Sequence, residues 1–341
     1  MAAALAAAGL LGLVPSAARS QTAGTVCDPA DRFSTCVSSD NLWPHPGGGR
    51  FVTVAPSQLP SAHTFSATLV PTFYHRPVGF RIASADPDGT TVFAVERAFA
   101  AHALVAFAPH DGVAVHVGLP VWLLQDGAGK ADAVGGDETL PAQALGDVRF
   151  GVSATLWRRR DRSPNADGPG LSARFEMAAP SGTDTAFAGW ASTTWAPGVA
   201  FDYRWGRWLF GADVSGRFRR RVAVAGTELG SQLGLDLGAS LDILDDGWLS
   251  VGAELWSLFT LVPQTELVAE PGDLTADRRG TGVPHIPLEY LVTLRTAGLI
   301  DGRLRLSAGG GGLIPTGPTT AVTTPNIRAL LSLHYTLDQN R

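Results

Sequence analysis

The feature that most constrains the fold of this chain is a two-residue alternation of apolar and other side chains, repeated in segments of about ten residues. Between Val113 and Leu123 every odd-numbered position is apolar, and the same period recurs over 148–156, 233–243 and 327–335. Side chains of a β-strand point alternately to opposite faces. Each segment is therefore predicted to be a strand with one apolar face and one largely polar or small-residue face.

The number and length of these strands predict a closed sheet. Strands of about ten residues can cross a bilayer at a tilt, whereas strands of soluble proteins are nearer five or six residues. The predicted fold class is all-β, a transmembrane antiparallel up-and-down β-barrel of about 12 strands. The predicted strands begin near Thr64, Glu96, Val113, Asp147, Leu171, Thr193, Trp208, Leu229, Leu249, His285, Arg303 and Ile327.

The connections between these strands alternate in length. Short turns are predicted at Asp111-Gly112, Gly206-Arg207, Asp246-Gly247 and Asp301-Gly302, and Asp-Gly is a strong signal for a tight hairpin. Long connections separate them, and the connection from Arg158 to Gly170 is an exception because it is long where a short one is expected. Short periplasmic turns and long outer loops are typical of outer-membrane barrels, and an even number of strands predicts that both termini are periplasmic.

The polar faces carry acids and bases in nearly equal numbers, and three histidines. A charged side chain facing lipid at the bilayer midplane costs about 2–4 kcal/mol, so we expect these faces to line the lumen. A soluble β-sandwich with a solvated polar face is the alternative, and it leaves the strand length and the loop asymmetry unexplained. The candidate lumen-lining residues are Glu96, His102, His116, Arg149, Arg174, Glu176, Asp202, Arg204, Asp213, Asp236, Glu254, Glu289, Arg295, Arg305, Arg328 and His334.

Aromatic residues gather beside the predicted short turns. Tyr203, Trp205, Trp208 and Trp248 lie at strand ends, where a membrane-interface girdle belongs. The alternative is that they are core aromatics of a soluble sandwich.

The N-terminal region divides into two predicted parts. Residues 1–20 resemble a signal peptide without a basic start, with cleavage expected before Gln21. Residues 21–62 are predicted to be an irregular periplasmic arm, and residues 63–338 the barrel. The two cysteines, Cys27 and Cys36, lie in the arm; in an exported chain they favour a disulfide, and free thiols are the alternative. Whether the arm plugs the lumen is left open by the sequence.

Composition and motifs argue against several functions. The net charge of −5 and a charged fraction of 17% exclude a strongly basic nucleic-acid-binding protein. Gly127, Gly129 and Lys130 lack the spacing of a phosphate loop. No Ser and His pair shares an apolar face, and the cysteines have too few neighbouring ligands for a metal site. We therefore expect no catalytic residues, no metal and no cofactor.

Two segments resemble a known class of barrel. The run Gly146-Asp147-Val148-Arg149-Phe150-Gly151, followed by a strand ending in Ala179-Pro180-Ser181-Gly182, resembles OmpA-family barrels of myxobacteria and relatives and transporters of the phenol-degradation meta-pathway type. The resemblance covers roughly residues 64–337 and implies an outer-membrane barrel of Gram-negative bacteria. The peptidoglycan-binding domain common in OmpA-family members is not carried over, since the chain ends just past the last predicted strand.

The predicted function is that of an outer-membrane β-barrel, a narrow passive channel for small solutes without strong ion selectivity. The alternative is a structural OmpA-like barrel whose lumen is closed by salt bridges, and a second alternative is an outer-membrane enzyme. The partners expected are outer-membrane lipid and lipopolysaccharide, the barrel-assembly machinery and small solutes, with no nucleic acid.

Overall fold

The computed structural model describes most of the chain. The described residues are 34–47, 49–82, 90–130, 139–159, 166–190, 192–224, 227–244, 247–262, 265–269, 276–280, 286–315 and 323–338. The predicted signal peptide and Cys27 lie outside these residues, so the cleavage site and the disulfide stay predictions. Among the described residues, no helix has the length and apolar character needed to cross a membrane.

Twelve strands form a closed antiparallel barrel, as the alternation predicts. Each is hydrogen-bonded to its neighbours in the sequence, and the first strand pairs with the last from Thr64↔Asp338 to His75↔Ile327. The wall strands are β1 (Thr64–Ile82), β2 (Thr90–His110), β3 (Val113–Asp126), β5 (Arg149–Trp157), β6 (Gly168–Ala178), β7 (Thr194–Trp205), β8 (Trp208–Arg217), β11 (Gln232–Asp242), β12 (Leu249–Thr260), β15 (Leu288–Thr296), β16 (Leu304–Leu313) and β17 (Ile327–Asp338).

The remaining elements lie in the connections. They are β4 (Ala144–Leu145), which extends the wall beside β3, the hairpins β9 (Val222–Val224) with β10 (Thr227–Leu229) and β13 (Thr265–Ala269) with β14 (Ala276–Gly280), a 3-10 helix at Asp184–Ala186 and a helical turn at Leu299–Gly302. From the sequence, these segments are predicted to belong to the connections between strands. It also begins β2 at Glu96, whereas the strand begins at Thr90 because β1 and β2 continue as a paired ribbon beyond a β-bulge between His75 and Val78.

The two ends of the barrel differ as predicted. At one end, here called the short-turn end, tight connections join β2 to β3 and β7 to β8; Gly112 and Gly206 have φ of +73° and +56°, which glycine adopts without steric cost. The connection from Trp157 to Gly168 lies at this end and is the longer exception. The opposite end, here called the long-loop end, carries the longer connections, such as those from β6 to β7 and from β16 to β17.

The outer face of the wall is apolar. Val117 is 45% exposed, Val199 46% and Val292 47%, and each lies at an outward position of its strand. The aromatic side chains at the short-turn end also point outward, with Trp205 67% and Trp248 56% exposed. A continuous exposed apolar belt is costly in water and stable in lipid. The exposure of these side chains fits a membrane-spanning wall with an interfacial aromatic girdle.

Candidate functional site: a lumen occupied by the N-terminal segment

The inward face of the wall carries the polar residues that the alternation assigns to the lumen. Glu176, Asp213, Glu289 and Arg328 are almost completely buried, although they lie on the same strands as the exposed apolar residues. Glu96 differs, because its side chain is 42% exposed and pairs with Arg76 on the extended ribbon. Arg305 is half-buried, and the Arg174 side chain is buried. The others that are buried inside the barrel are His102, His116, Arg149, Asp202, Arg204, Asp236, Glu254, Arg295 and His334.

The described part of the N-terminal arm lies inside the barrel. Residues 34–47 and 49–62, called the plug below, start at the long-loop end, where Ser34 N–H donates to Ala223 O (2.8 Å) and Ser39 N–H to Phe187 O (2.7 Å). They finish at the short-turn end, where Ala62 N–H donates to Asp111 Oδ1 (2.8 Å). The plug therefore crosses the lumen from end to end before β1 begins.

This course bears on the question that the sequence leaves open, whether the arm plugs the lumen. The periplasmic position of both termini is predicted from the even number of strands and stays a prediction. The parity of the strands fixes the ends of the wall, and Asp338 does lie beside Thr64. It does not fix the path of a segment that precedes the first strand. Because the plug traverses the lumen, Ser34 lies at the long-loop end.

Near the long-loop end the plug is held by a buried ionic cluster around Asp40. Arg328 donates to Asp40 Oδ1 (2.8 Å) and to Glu289 Oε2 (3.0 Å), and His102 Nε2 lies 3.0 Å from Asp40 Oδ2. Burial by itself raises the pKa of Asp40, but the charge of Arg328 and the hydrogen bond with His102 bring that pKa below its usual range. Asp40 is therefore a carboxylate that neutralises a buried guanidinium.

The middle of the lumen is filled by Trp43 and His45 around Glu176. The Trp43 indole N–H donates to Glu176 Oε2 (2.7 Å), and His45 Nδ1 lies 3.3 Å from Glu176 Oε1. Arg149 and Arg217 lie over the Trp43 ring, 4.5 and 4.7 Å from its centroid. Burial, and then the charge of Arg174, lower the pKa of His45. The Trp43 ring interacts with the two guanidinium groups and its N–H with the carboxylate, so these buried charged groups have protein partners in place of water.

Further toward the short-turn end, backbone groups of the plug satisfy wall carboxylates. Glu254 accepts hydrogen bonds from Val52 N–H (2.9 Å), Thr53 N–H (2.7 Å) and the Thr53 hydroxyl (2.8 Å). Asp242 is paired with Arg50 of the plug and with Arg204 of the wall (2.5 Å). Buried carboxylates without such partners would be strongly destabilising.

Inward glycines provide the space for the plug. Gly211 of β8 and Gly238 of β11 are paired across the sheet, and a Cβ atom added at either would come within 2.7 Å of the Phe51 ring. Phe51 packs with Val54 and Leu209 in a small apolar cluster. Because these inward positions carry no side chain, the Phe51 ring has space to lie directly against the wall.

The two segments that carry the family resemblance meet at the long-loop end. Asp147 accepts hydrogen bonds from Ser181 N–H (3.2 Å), Gly182 N–H (2.9 Å) and Trp190 N–H (2.7 Å). Burial raises the pKa of Asp147 to about 6, despite the three N–H donors, which lower it. The carboxyl group ties the connection between β6 and β7 to the segment before β5.

The three histidines predicted to line the lumen, His102, His116 and His334, do not come together. His102 faces Asp40, His116 lies 3.6 Å from Glu176 Oε2, and His334 contacts the hydroxyls of Thr68 and Thr336 at 2.8 and 2.9 Å. Within the part of the chain that the structure describes, no group of three or more His, Cys, Asp or Glu side chains could hold a metal ion. The site is a network of ion pairs and hydrogen bonds between the plug and the wall.

The plug residues are the functional residues that sequence reasoning missed. Asp40, Trp43, Arg50, Thr53 and Ser57 lie in a stretch without periodicity and are 100 residues or more from most of their partners; Ser57, for example, donates to Asp202 (2.5 Å). One signal was available: the polar faces of the wall carry carboxylates and several glycines, which together leave space and unsatisfied charge for an inserted segment.

Comparison of the sequence with family models and with curated proteins finds no match. Among solved structures, an outer membrane channel from Pseudomonas putida F1 is similar, with a TM-score of 0.55 and 12% identity over 82% of this chain and 98% of that chain. The NanC porin has a TM-score of 0.45 and 11% identity over 79% and 100% of the two chains. The Ralstonia pickettii toluene transporter TbuX has a TM-score of 0.40 and 11% identity over 82% and 90%.

At such low identity the likeness concerns the fold, and the channel from Pseudomonas putida is the one of these three whose TM-score supports it. The closed wall, the apolar exterior and the polar interior define the class: an outer-membrane-type β-barrel.

Proposed function

We propose that the protein is an outer-membrane channel for small solutes whose resting state is closed by its own plug. The observation that carries the proposal is the course of the plug through a polar lumen, with ion pairs at Asp40 and Arg50 and backbone hydrogen bonds to Glu254. The apolar exterior supports contact with outer-membrane lipid, while lipopolysaccharide and the barrel-assembly machinery stay predicted partners.

The polar lining supports transport more than catalysis. Several lumen-facing charges are paired with each other across the wall, as in Arg174–Asp213 and Arg328–Glu289, so removal of the plug would leave a hydrated passage lined by groups of both signs. A 12-stranded barrel has a narrow bore, and only small solutes would pass.

The alternative function is that of a structural barrel with a permanently closed lumen. The observation that favours it is the number of buried contacts that hold the plug, since each end and the middle of the segment is anchored. In this case the plug is part of the core, and no physiological condition would release it.

Liposome swelling distinguishes these functions. Vesicles are prepared with the full-length protein and with a variant that lacks residues 21–58, and both proteins are first shown to migrate differently on gels before and after boiling. The channel proposal predicts slow swelling for the full-length protein. For the folded variant it predicts rapid entry of glycerol and pentoses, with a disaccharide entering more slowly. A folded variant that is impermeable to all solutes would contradict the channel proposal and favour the structural barrel.

A further inference from the structure

A run of arginines around one phenylalanine begins at the last residue of β8, at the long-loop end of the barrel. Its members are Arg217, Phe218, Arg219, Arg220 and Arg221. Arg217 and Arg219 are buried, whereas Phe218, Arg220 and Arg221 are exposed. The polar interior of the barrel therefore takes up two of the four arginines, and the other two lie on the outer surface.

The exposed arginines lie at the edge of an aromatic patch on the outer face of the wall. Trp195 N–H donates to Phe218 O (2.9 Å) and Phe218 N–H to Trp195 O (2.8 Å), so these two residues lie opposite each other. Both are 45% exposed, and the Trp195 ring lies 5.8 Å from that of Phe175, between ring centroids. Burial alternates from residue 217 to residue 220, which places Arg220 on the same outward face as Phe218.

Contacts on both sides hold the backbone of this run. Arg219 N–H donates to Ser231 Oγ (3.3 Å), and Arg220 N–H donates to Ser192 Oγ (3.2 Å). The buried Arg219 guanidinium lies over the Trp190 ring, 3.2 Å from its centroid. Because Arg219 is anchored inside the barrel, the two arginines that follow it are presented at a defined place on the rim.

Other exposed arginines at the long-loop end are paired with carboxylates of neighbouring positions. Arg76 Nη2 lies 3.3 Å from Glu96 Oε1, and Arg97 Nη2 lies 2.7 Å from Asp126 Oδ2. Within the part of the chain that the structure describes, neither of the two exposed arginines of the run forms an ion pair. Two adjacent cations are therefore open to an anionic group that comes from outside the chain.

The place of these cations indicates which anion they meet. In the orientation typical of outer-membrane barrels, the long loops face outward, so the long-loop end of the apolar belt lies in the outer leaflet, beside lipopolysaccharide. Arginine binds phosphate through parallel N–H donors, and aromatic rings at this depth contact acyl chains. We propose that Arg220 and Arg221, with Trp195 and Phe218 beside them, bind a phosphate group of lipopolysaccharide. The site rests on the outer-membrane location and does not depend on whether the lumen conducts.

Native mass spectrometry of the folded full-length protein tests the proposal. Lipid A, dephosphorylated lipid A and phosphatidylglycerol are titrated separately, in a detergent without phosphate groups. Saturable binding of lipid A is expected, with clearly weaker binding of the other two lipids. The double variant Arg220→Gln, Arg221→Gln should bind lipid A about tenfold or more weakly than the wild type, because two cations beside the headgroup are lost.

The matched control is the double variant Arg76→Gln, Arg97→Gln. It removes two exposed arginines of the same end that already pair with carboxylates, and its affinity for lipid A should stay within about twofold of the wild type. Heat-dependent gel migration shows that each variant is folded. Absence of saturable lipid A binding to the wild type, or an equal loss in the two double variants, would overturn the proposal. Equal affinities of the wild type for lipid A and phosphatidylglycerol would overturn the assignment to lipopolysaccharide.

Discussion

At the scale of single residues, the plug stabilises the lumen because its side chains pair with charged wall residues that would otherwise be buried without a partner. Arg328 is fully buried on β17 and bridges Asp40 of the plug to Glu289 of the wall. Removal of one partner of such a group costs more than the interaction itself contributes, because the other charges remain buried without compensation. The stability of the barrel and the position of the plug are therefore coupled through this side chain.

Replacement of Arg328 by glutamine should lower the free energy of unfolding by about 3–5 kcal/mol, since Asp40 and Glu289 lose their shared cation. Urea unfolding in detergent, followed by tryptophan fluorescence, measures the change. Arg97→Gln removes an arginine from an exposed ion pair and should cost about 1 kcal/mol or less. Equal urea midpoints for the two variants would show that the buried cluster does not stabilise the fold.

The raised pKa of Asp147 predicts how the stability of the fold changes with pH. Its pKa is raised from 3.8 to about 6, so the folded chain binds a proton between about pH 4 and 6 that the unfolded chain releases. Its contribution to stability is full below pH 4 and is lost as the pH rises through 6. The side chain of Asp147→Asn cannot titrate at this position. As the pH falls from 7 to 4.5, the free energy of unfolding of the wild type should therefore rise relative to that of Asp147→Asn. A difference between the two proteins that is constant with pH, or that has the opposite sign, would contradict this assignment.

At the scale of elements, the twelve wall strands follow from local sequence. The alternation is strict where one face meets lipid and the other meets the lumen, and β3, β8, β12 and β17 begin at the predicted residues. The ends of the strands are harder to predict from the sequence where the bilayer constrains neither face of the strand. The ribbon of β1 and β2 beyond His75 and the hairpins of the long connections have no such periodic signal.

The glycine run of β16 shows how closely its neighbours approach. A Cβ atom at Gly311 would lie 1.8 Å from the backbone oxygen of Tyr290, whereas at Gly310 its nearest contact would be an ordinary 3.7 Å. Gly311→Ala should therefore disrupt the pairing of β15 and β16 and destabilise the barrel by roughly 2 kcal/mol or more. Gly310→Ala is the matched control and should be nearly neutral.

The fraction of each variant that refolds into detergent micelles, read from heat-dependent gel migration, measures this effect. Equal refolding of the Gly311 and Gly310 variants would mean that β15 can move away from β16 without cost.

At the scale of the whole molecule, the sequence predicts the wall and its polar lining but not what fills the lumen. Strand parity assigns Glu176, Glu254 and Arg328 to the inside, because alternation is a local property. The partners of these residues, Trp43, Thr53 and Asp40, come from an aperiodic segment whose contacts span 133 to 288 positions of sequence. No local pattern encodes such contacts: the carboxylates and glycines of the polar faces indicate space for an inserted segment, but they do not indicate which segment fills it.

Whether the plug closes a membrane-spanning channel can be measured as single-channel conductance in a planar bilayer. The full-length protein and the variant without residues 21–58 are compared at the same salt concentration and voltage, after both are shown to be folded. If the plug closes the lumen, the full-length protein should be silent or open only briefly, and the variant should show stable, discrete current steps. A full-length protein with the same steady current as the variant would contradict closure by the plug.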